Sequence, residues 1–129
     1  MAGRAGSNAR THSPLVLVAE DEFIIAMELE AILVAQGWQV LGPAATIEDA
    51  LDLLSNQPPD VAILDVNLRG VMVTPVAEAL QGRDIPFVLT TVYQPPRLQR
   101  STVLARAANI GKPISERRLV EAVLQAMDG

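Results

Sequence analysis

Four short polar segments each follow an apolar run in this chain: Ala19-Glu20-Asp21-Glu22, Leu64-Asp65-Val66-Asn67, Thr90-Thr91 and Gly111-Lys112-Pro113. If Glu20, Asp21 and Asp65 are brought together, their carboxylates repel one another unless some take up protons or a cation joins them. An all-oxygen set suits a hard divalent ion such as Mg²⁺, which uses few protein ligands and keeps positions that phosphoryl oxygens can fill. In that setting Asp65 can act as a nucleophile towards phosphorus and form an aspartyl phosphate. The Lys112 ammonium can then pair with one phosphoryl oxygen as a point charge, and the Thr91 hydroxyl can donate a hydrogen bond to another.

That chemistry needs a scaffold that gathers distant segments at one edge. Leu15-Val16-Leu17-Val18 and Val61-Ala62-Ile63-Leu64 are continuous apolar runs ending in acids, the mark of parallel strands covered on both faces. Ile25, Leu29, Ile32, Leu33 and Gln36 recur at helical spacing, with Gly37 placed to stop the helix. A short second strand follows over Gln39 to Gly42. Thr46 can cap a helix through Ile47, Ala50, Leu51 and Leu54 that ends before Pro58-Pro59. A third helix runs from Val73 to Leu80, Pro86-Phe87-Val88-Leu89 begins a fourth strand, and Ser115 can cap a last helix carrying Leu119, Val120, Val123, Leu124 and Met127. The alternation predicts a doubly wound α/β fold, flavodoxin-like (βα)5, with five parallel strands in the order 2-1-3-4-5. Its crevice lies between strands one and three, which sets Glu20 and Asp21 beside Asp65. Residues 92–110 fit the pattern poorly: Pro95-Pro96 blocks a helix and Ala107-Ala108-Asn109 is weak strand sequence, so a short or atypical fourth helix is expected over 97–106.

The chain has 129 residues, half of them hydrophobic and few aromatic, which makes one domain with an aliphatic core. Residues 1–13 read as a flexible tail and 14–129 as the folded domain. With no cysteine, disulfides, thiolate metal sites and thiol catalysis are excluded. The tail has no apolar stretch that could serve as a secretory core or membrane span, so a cytoplasmic location is expected. A net charge of −5 argues against a general nucleic-acid surface.

In order and spacing, these segments resemble those of a response-regulator receiver domain over about residues 14 to 128. Leu17-Val18-Ala19-Glu20-Asp21-Glu22 is similar to the acidic motif, Leu64-Asp65 to the phosphoacceptor, Thr91 to the switch hydroxyl, and Lys112-Pro113 to the lysine with its proline. The resemblance implies that Asp21 and Asp65 ligate Mg²⁺ directly, that the Asn67 backbone carbonyl is the third protein ligand, and that Glu20 helps through water. Pro86-Phe87-Val88-Leu89-Thr90-Thr91-Val92-Tyr93 is similar to the Pro-Phe-x-Phe-Ala-Thr-Gly-Tyr motif of the single-domain "FATGUY" receivers, as is Asp65-Val66-Asn67-Leu68-Arg69-Gly70. That class commonly lacks an output domain and is associated with histidine kinases of the HWE or HisKA2 type. Here Leu89, Thr90 and Val92 replace the motif's Phe, Ala and Gly. Asn109 stands where receivers usually carry an aromatic residue, which leaves Tyr93 as a switch candidate.

Taken singly, each residue has a plainer explanation: Glu20-Asp21-Glu22 could cap the first helix, Asp65 could be a loop acid, and Lys112 a solvated charge. Their joint placement reverses those odds. Thr90 competes with Thr91, because strand alternation sends neighbours to opposite faces; alignment from Pro86 favours Thr91. The implied function is a phosphorelay signalling module in a two-component system rather than an enzyme. It takes its phosphoryl group from a sensor histidine kinase or histidine phosphotransferase and signals by binding protein, and a dimer is compatible with this. The alternative is a haloacid-dehalogenase-like, Mg²⁺-dependent phosphatase with Asp65 as nucleophile. Asn67 argues against it, because that family commonly places a second aspartate two residues after the first.

Overall fold

A computed structural model describes residues 13–91, 102–105 and 107–128. In chain order its elements are β1 (Leu15–Ala19), α1 (Phe23–Ala35), β2 (Gln39–Ala44), α2 (Ile47–Asn56), β3 (Val61–Asp65), β4 (Asn67–Leu68), β5 (Val71–Met72), α3 (Thr74–Gly82), β6 (Phe87–Thr90), α4 (Thr102–Ala105) and α5 (Glu116–Asp128).

The main sheet is parallel with order β2-β1-β3-β6, the flavodoxin-like arrangement expected. Its fifth strand is reduced to a parallel bridge between Leu89 and Asn109, held by Leu89 N–H to the Ala108 carbonyl and Ile110 N–H to the Leu89 carbonyl. The weak strand propensity of Ala107-Ala108-Asn109 accounts for that thin pairing.

Strand alternation divides the core into two layers. Leu17, Ala19, Ala62, Leu64 and Leu89 face Ala50 and Leu54 of α2, Val76, Ala77 and Leu80 of α3, and Leu104 of α4. Val16, Val18, Val61, Ile63 and Val88 face Leu29, Ile32 and Leu33 of α1 and Leu119 and Val123 of α5. Both faces of β1 and β3 are therefore dry, as their unbroken apolar sequences require.

Thr46 caps α2, its Oγ1 accepting the Asp49 N–H at 3.0 Å, and Ser115 Oγ accepts from Arg118 N–H at 3.4 Å ahead of α5. Gly37 follows α1 with φ +83°, as a left-handed terminator should. Two helical stripes are narrower than the spacing suggests. Gln36 is exposed at the C-cap of α1 rather than part of its buried stripe, and Leu124 of α5 is about half exposed. The second strand also runs past Gly42 to Ala44, whose carbonyl takes the Glu20 N–H. The short fourth helix shows within the described residues only as α4; the rest of 97–106 apart from it, Tyr93 and residues 1–12 lie outside them.

An antiparallel hairpin of β4 and β5, absent from the pattern reading, follows β3 directly. Its two-residue tip, Arg69-Gly70, has positive φ at both positions, 51° and 84°, as the tight primed turns require. Among the described residues no helix is long and apolar enough to cross a membrane.

Candidate functional site

The carboxyl ends of β1 and β3 bring Glu20, Asp21 and Asp65 together, with one carboxylate oxygen from each lying within 4.8 Å of the others. Register explains the meeting. Ala19 pairs with Leu64, so Glu20 and Asp65 occupy the next row, on the face shared by Val18 and Ile63. Asp21 turns away from the strand, and its Oδ2 accepts the Arg69 N–H at 2.9 Å. The hairpin tip thus positions one of the three acids. The sequence signal for it is Asn67 ahead of Arg69-Gly70, residues suited to a tight turn.

Lys112 reaches this cluster from beyond the Leu89–Asn109 bridge. Gly111, with φ +82°, turns the chain just before it, close to the Thr91 carbonyl. Lys112 Nζ donates to Asp65 Oδ2 at 2.9 Å and ion-pairs with Glu20 Oε1 at 3.0 Å and Glu22 Oε1 at 3.6 Å. Its side chain is only 6% exposed. Burial works against its charge, but the hydrogen bonds to Asp65 and Glu20, together with their negative charges, outweigh that and hold its pKa above the usual value.

Glu20 is the most buried acid of the group. Burial pushes its carboxyl up to about 7, against the opposing pull of the Glu22 amide and of Lys112, while the Asp65 charge adds to the rise. Its Oε2 accepts the Glu22 N–H at 3.0 Å, whereas Oε1 has the Lys112 contact without a well-directed hydrogen bond. Helix capping does not explain these acids. Glu22 is the N-cap of α1 but makes no side-chain cap bond, and Glu20 faces Lys112.

Asp65 is buried, with Oδ1 accepting the Asn67 N–H at 3.2 Å and Oδ2 taken by Lys112. The Asn67 side chain is engaged in the hairpin, its Oδ1 accepting the Gly70 N–H at 2.8 Å. Thr91 lies one residue beyond β6 and is half-buried. Thr90 is the β6 residue in register with Asp65, fully buried.

Lys112 alone cannot balance Glu20, Glu22, Asp21 and Asp65, and the poorly satisfied Glu20 Oε1 marks the deficit. These residues fit a hard divalent cation: oxygen donors from separate elements, partly open to solvent through Asp21.

A family model described as the response regulator receiver domain matches residues 16–124, and the chain belongs to that family. Transcriptional regulatory protein PdtaR of Mycobacterium tuberculosis is 31% identical over 110 residues, which cover 84% of this chain and 54% of that protein. The chain therefore spans about half the length of that curated relative. The solution structure of the BeF3-activated conformation of SdrG from Pseudomonas melonis Fr1 is 36% identical with a TM-score of 0.73, covering 92% of this chain and 98% of that one. The PhyR response regulator REC domain of Erythrobacter litoralis is 29% identical with a TM-score of 0.78, covering 91% and 92%. Receiver domains of two-component systems work in phosphorelays with histidine kinases or phosphotransferases and generally bind Mg²⁺ at an acidic pocket. The phosphatase alternative finds no support in these likenesses.

Proposed function

We propose that Asp65 is the phosphoacceptor of this receiver domain. The observation that carries it is the buried Lys112 ammonium set 2.9 Å from Asp65 Oδ2 inside a three-carboxylate cluster. In the proposed transfer an Asp65 carboxylate oxygen forms a bond to phosphorus. The P–N bond of a donor phosphohistidine breaks, and its electron pair returns to the imidazole. Water later attacks phosphorus and Asp65 leaves as carboxylate, giving inorganic phosphate.

Glu20, Asp21, Asp65 and the Asn67 carbonyl would hold Mg²⁺, which when bound supplies positive charge that offsets charge on the transferring group. Lys112 turns from Asp65 towards a phosphoryl oxygen, and Thr91 donates its hydroxyl to another. The domain is a phosphoacceptor that assists its own modification and hydrolysis rather than an enzyme acting on a separate substrate.

The donor is a cytoplasmic sensor histidine kinase or a histidine phosphotransferase. The likeness of residues 86–93 to the FATGUY motif favours an HWE or HisKA2 kinase. Phe23 and Ile24, 76% and 78% exposed at the start of α1 beside Glu22, offer apolar surface next to the pocket for a protein partner. Output is protein binding, a second copy included, and the net charge of −5 weighs against nucleic acid.

The test is intact mass after incubation with acetyl phosphate and Mg²⁺. The parent should gain one phosphoryl group and Asp65→Asn none; no gain in the parent, or equal gain in the variant, overturns the assignment.

A further inference from the structure

Thr90 is the one β6 residue that shares both row and face with the phosphoacceptor. Val88 lies beside Ile63 on the sheet face covered by α1 and α5, and the next pair on that face is Thr90 with Asp65. Parallel neighbours in register stand about 4.8 Å apart between strands, which brings their side chains side by side. On its other side the row continues, one step along from the Leu89–Asn109 bridge, to Ile110, which has no polar side-chain atom.

The Thr90 side chain is fully buried, and its Oγ1 has no hydrogen-bond partner among the described residues. Its backbone is committed, the carbonyl accepting the Val66 N–H at 3.1 Å. Valine has the same shape and would leave no polar atom unpaired, so packing alone gives no reason for a hydroxyl here. Asp65, the only polar side chain flanking Thr90 in its row, is already engaged by the Asn67 amide and by Lys112.

We propose that Thr90 is a positioning residue whose hydroxyl, unpaired in the unmodified protein, donates to the Asp65 side chain once a phosphoryl group is attached there. This rests on Asp65 being the phosphoacceptor. Modification places phosphorus on one Asp65 oxygen and draws Lys112 to the phosphoryl group, so the lone-pair position on Asp65 Oδ2 that Lys112 occupied opens in the row where Thr90 stands. A bond made in one state and missing in the other shifts the balance between them towards the state that has it. Thr90 therefore favours the modified form, separately from Thr91, which acts on the phosphoryl oxygens.

The experiment uses beryllofluoride with Mg²⁺ as the phosphoryl mimic and measures its affinity by calorimetry, alongside thermal midpoints without it. Thr90→Val should melt no lower than the parent yet bind the mimic roughly tenfold more weakly, the loss of about one hydrogen bond. Thr90→Ser, which keeps the hydroxyl, should bind within about twofold of the parent. Should Thr90→Val fail to fold, Thr90→Ala must bind more weakly than Thr90→Ser by a similar factor. Equal affinity of the hydroxyl-free variant and Thr90→Ser overturns the role of Thr90 alone. No mimic binding by the parent, or undiminished binding by Asp65→Asn, overturns the phosphoacceptor reading beneath it.

Discussion

The β1–β3 side of the carboxyl edge and the β6 side are built to different standards. Between β1 and β3, register pairs run from Val16–Val61 to Ala19–Leu64, and the acids that follow are each held: Glu20 Oε2 by the Glu22 amide and Oε1 by the Lys112 charge without a hydrogen bond, Asp21 by the Arg69 amide, Asp65 by the Asn67 amide and Lys112. On the β6 side the sheet continues as the single Leu89–Asn109 bridge, and two buried polar atoms, Thr90 Oγ1 and Asn109 Nδ2, have neither a hydrogen bond nor an ion pair among the described residues. A phosphoacceptor needs fixed geometry, whereas a readout needs two arrangements of similar free energy. The satisfied side suits the first demand and the unsatisfied side the second.

The contrast breaks most severely at Lys112. Lys112→Ala removes the only cation held against Glu20, Glu22 and Asp65 among the described residues. Breaking a buried pair from one end should cost about 3 kcal/mol in urea unfolding, and phosphoryl uptake measured by intact mass should fall at least about a hundredfold.

A smaller effect follows from pH. The Glu20 carboxyl is raised from 4.5 to about 7, so the folded state holds a proton that the unfolded state releases earlier. Its contribution is complete below about 4.5 and is lost as pH rises through about 7, while Lys112 stays charged throughout. The metal-free protein should lose on the order of 1–2 kcal/mol from this group between pH 5 and pH 8. Glu20→Gln should flatten that slope, and Mg²⁺ should restore stability at pH 8, both read from melting curves.

Away from both regions, Thr46→Ala removes the α2 cap and should cost about 1 kcal/mol without altering phosphoryl uptake, which separates general stability from the site. Smallest is Asn109→Ala. It gives up the Oδ1 bond to Gly111 N–H but also removes the unpaired Nδ2, so unfolding should change by less than about 0.5 kcal/mol.

The satisfied side was the legible one in the sequence. Apolar runs ending in Glu20-Asp21 and in Asp65 are local signals, and a parallel sheet with adjacent first and third strands leaves little freedom in where they meet. The Arg69-Gly70 hairpin that anchors Asp21 escaped because its strands, Asn67–Leu68 and Val71–Met72, are too short for any periodicity to register. The buried end of Glu20 escaped because charge balance depends on how far Lys112 reaches across the sheet, a tertiary quantity. At Thr90 and Thr91 alternation separates the two neighbours without saying which one shares a row with Asp65, and only the register shows that Thr90 does. Tyr93 lies outside the described residues.

The most direct measurement locates the phosphoryl group. After acetyl phosphate treatment with Mg²⁺, borohydride reduction of the acyl phosphate and tandem mass spectrometry should place the modification on Asp65 alone. Modification at Glu20, at Asp21 or at a hydroxyl, with Asp65 unreduced, would contradict Asp65 as the phosphoacceptor.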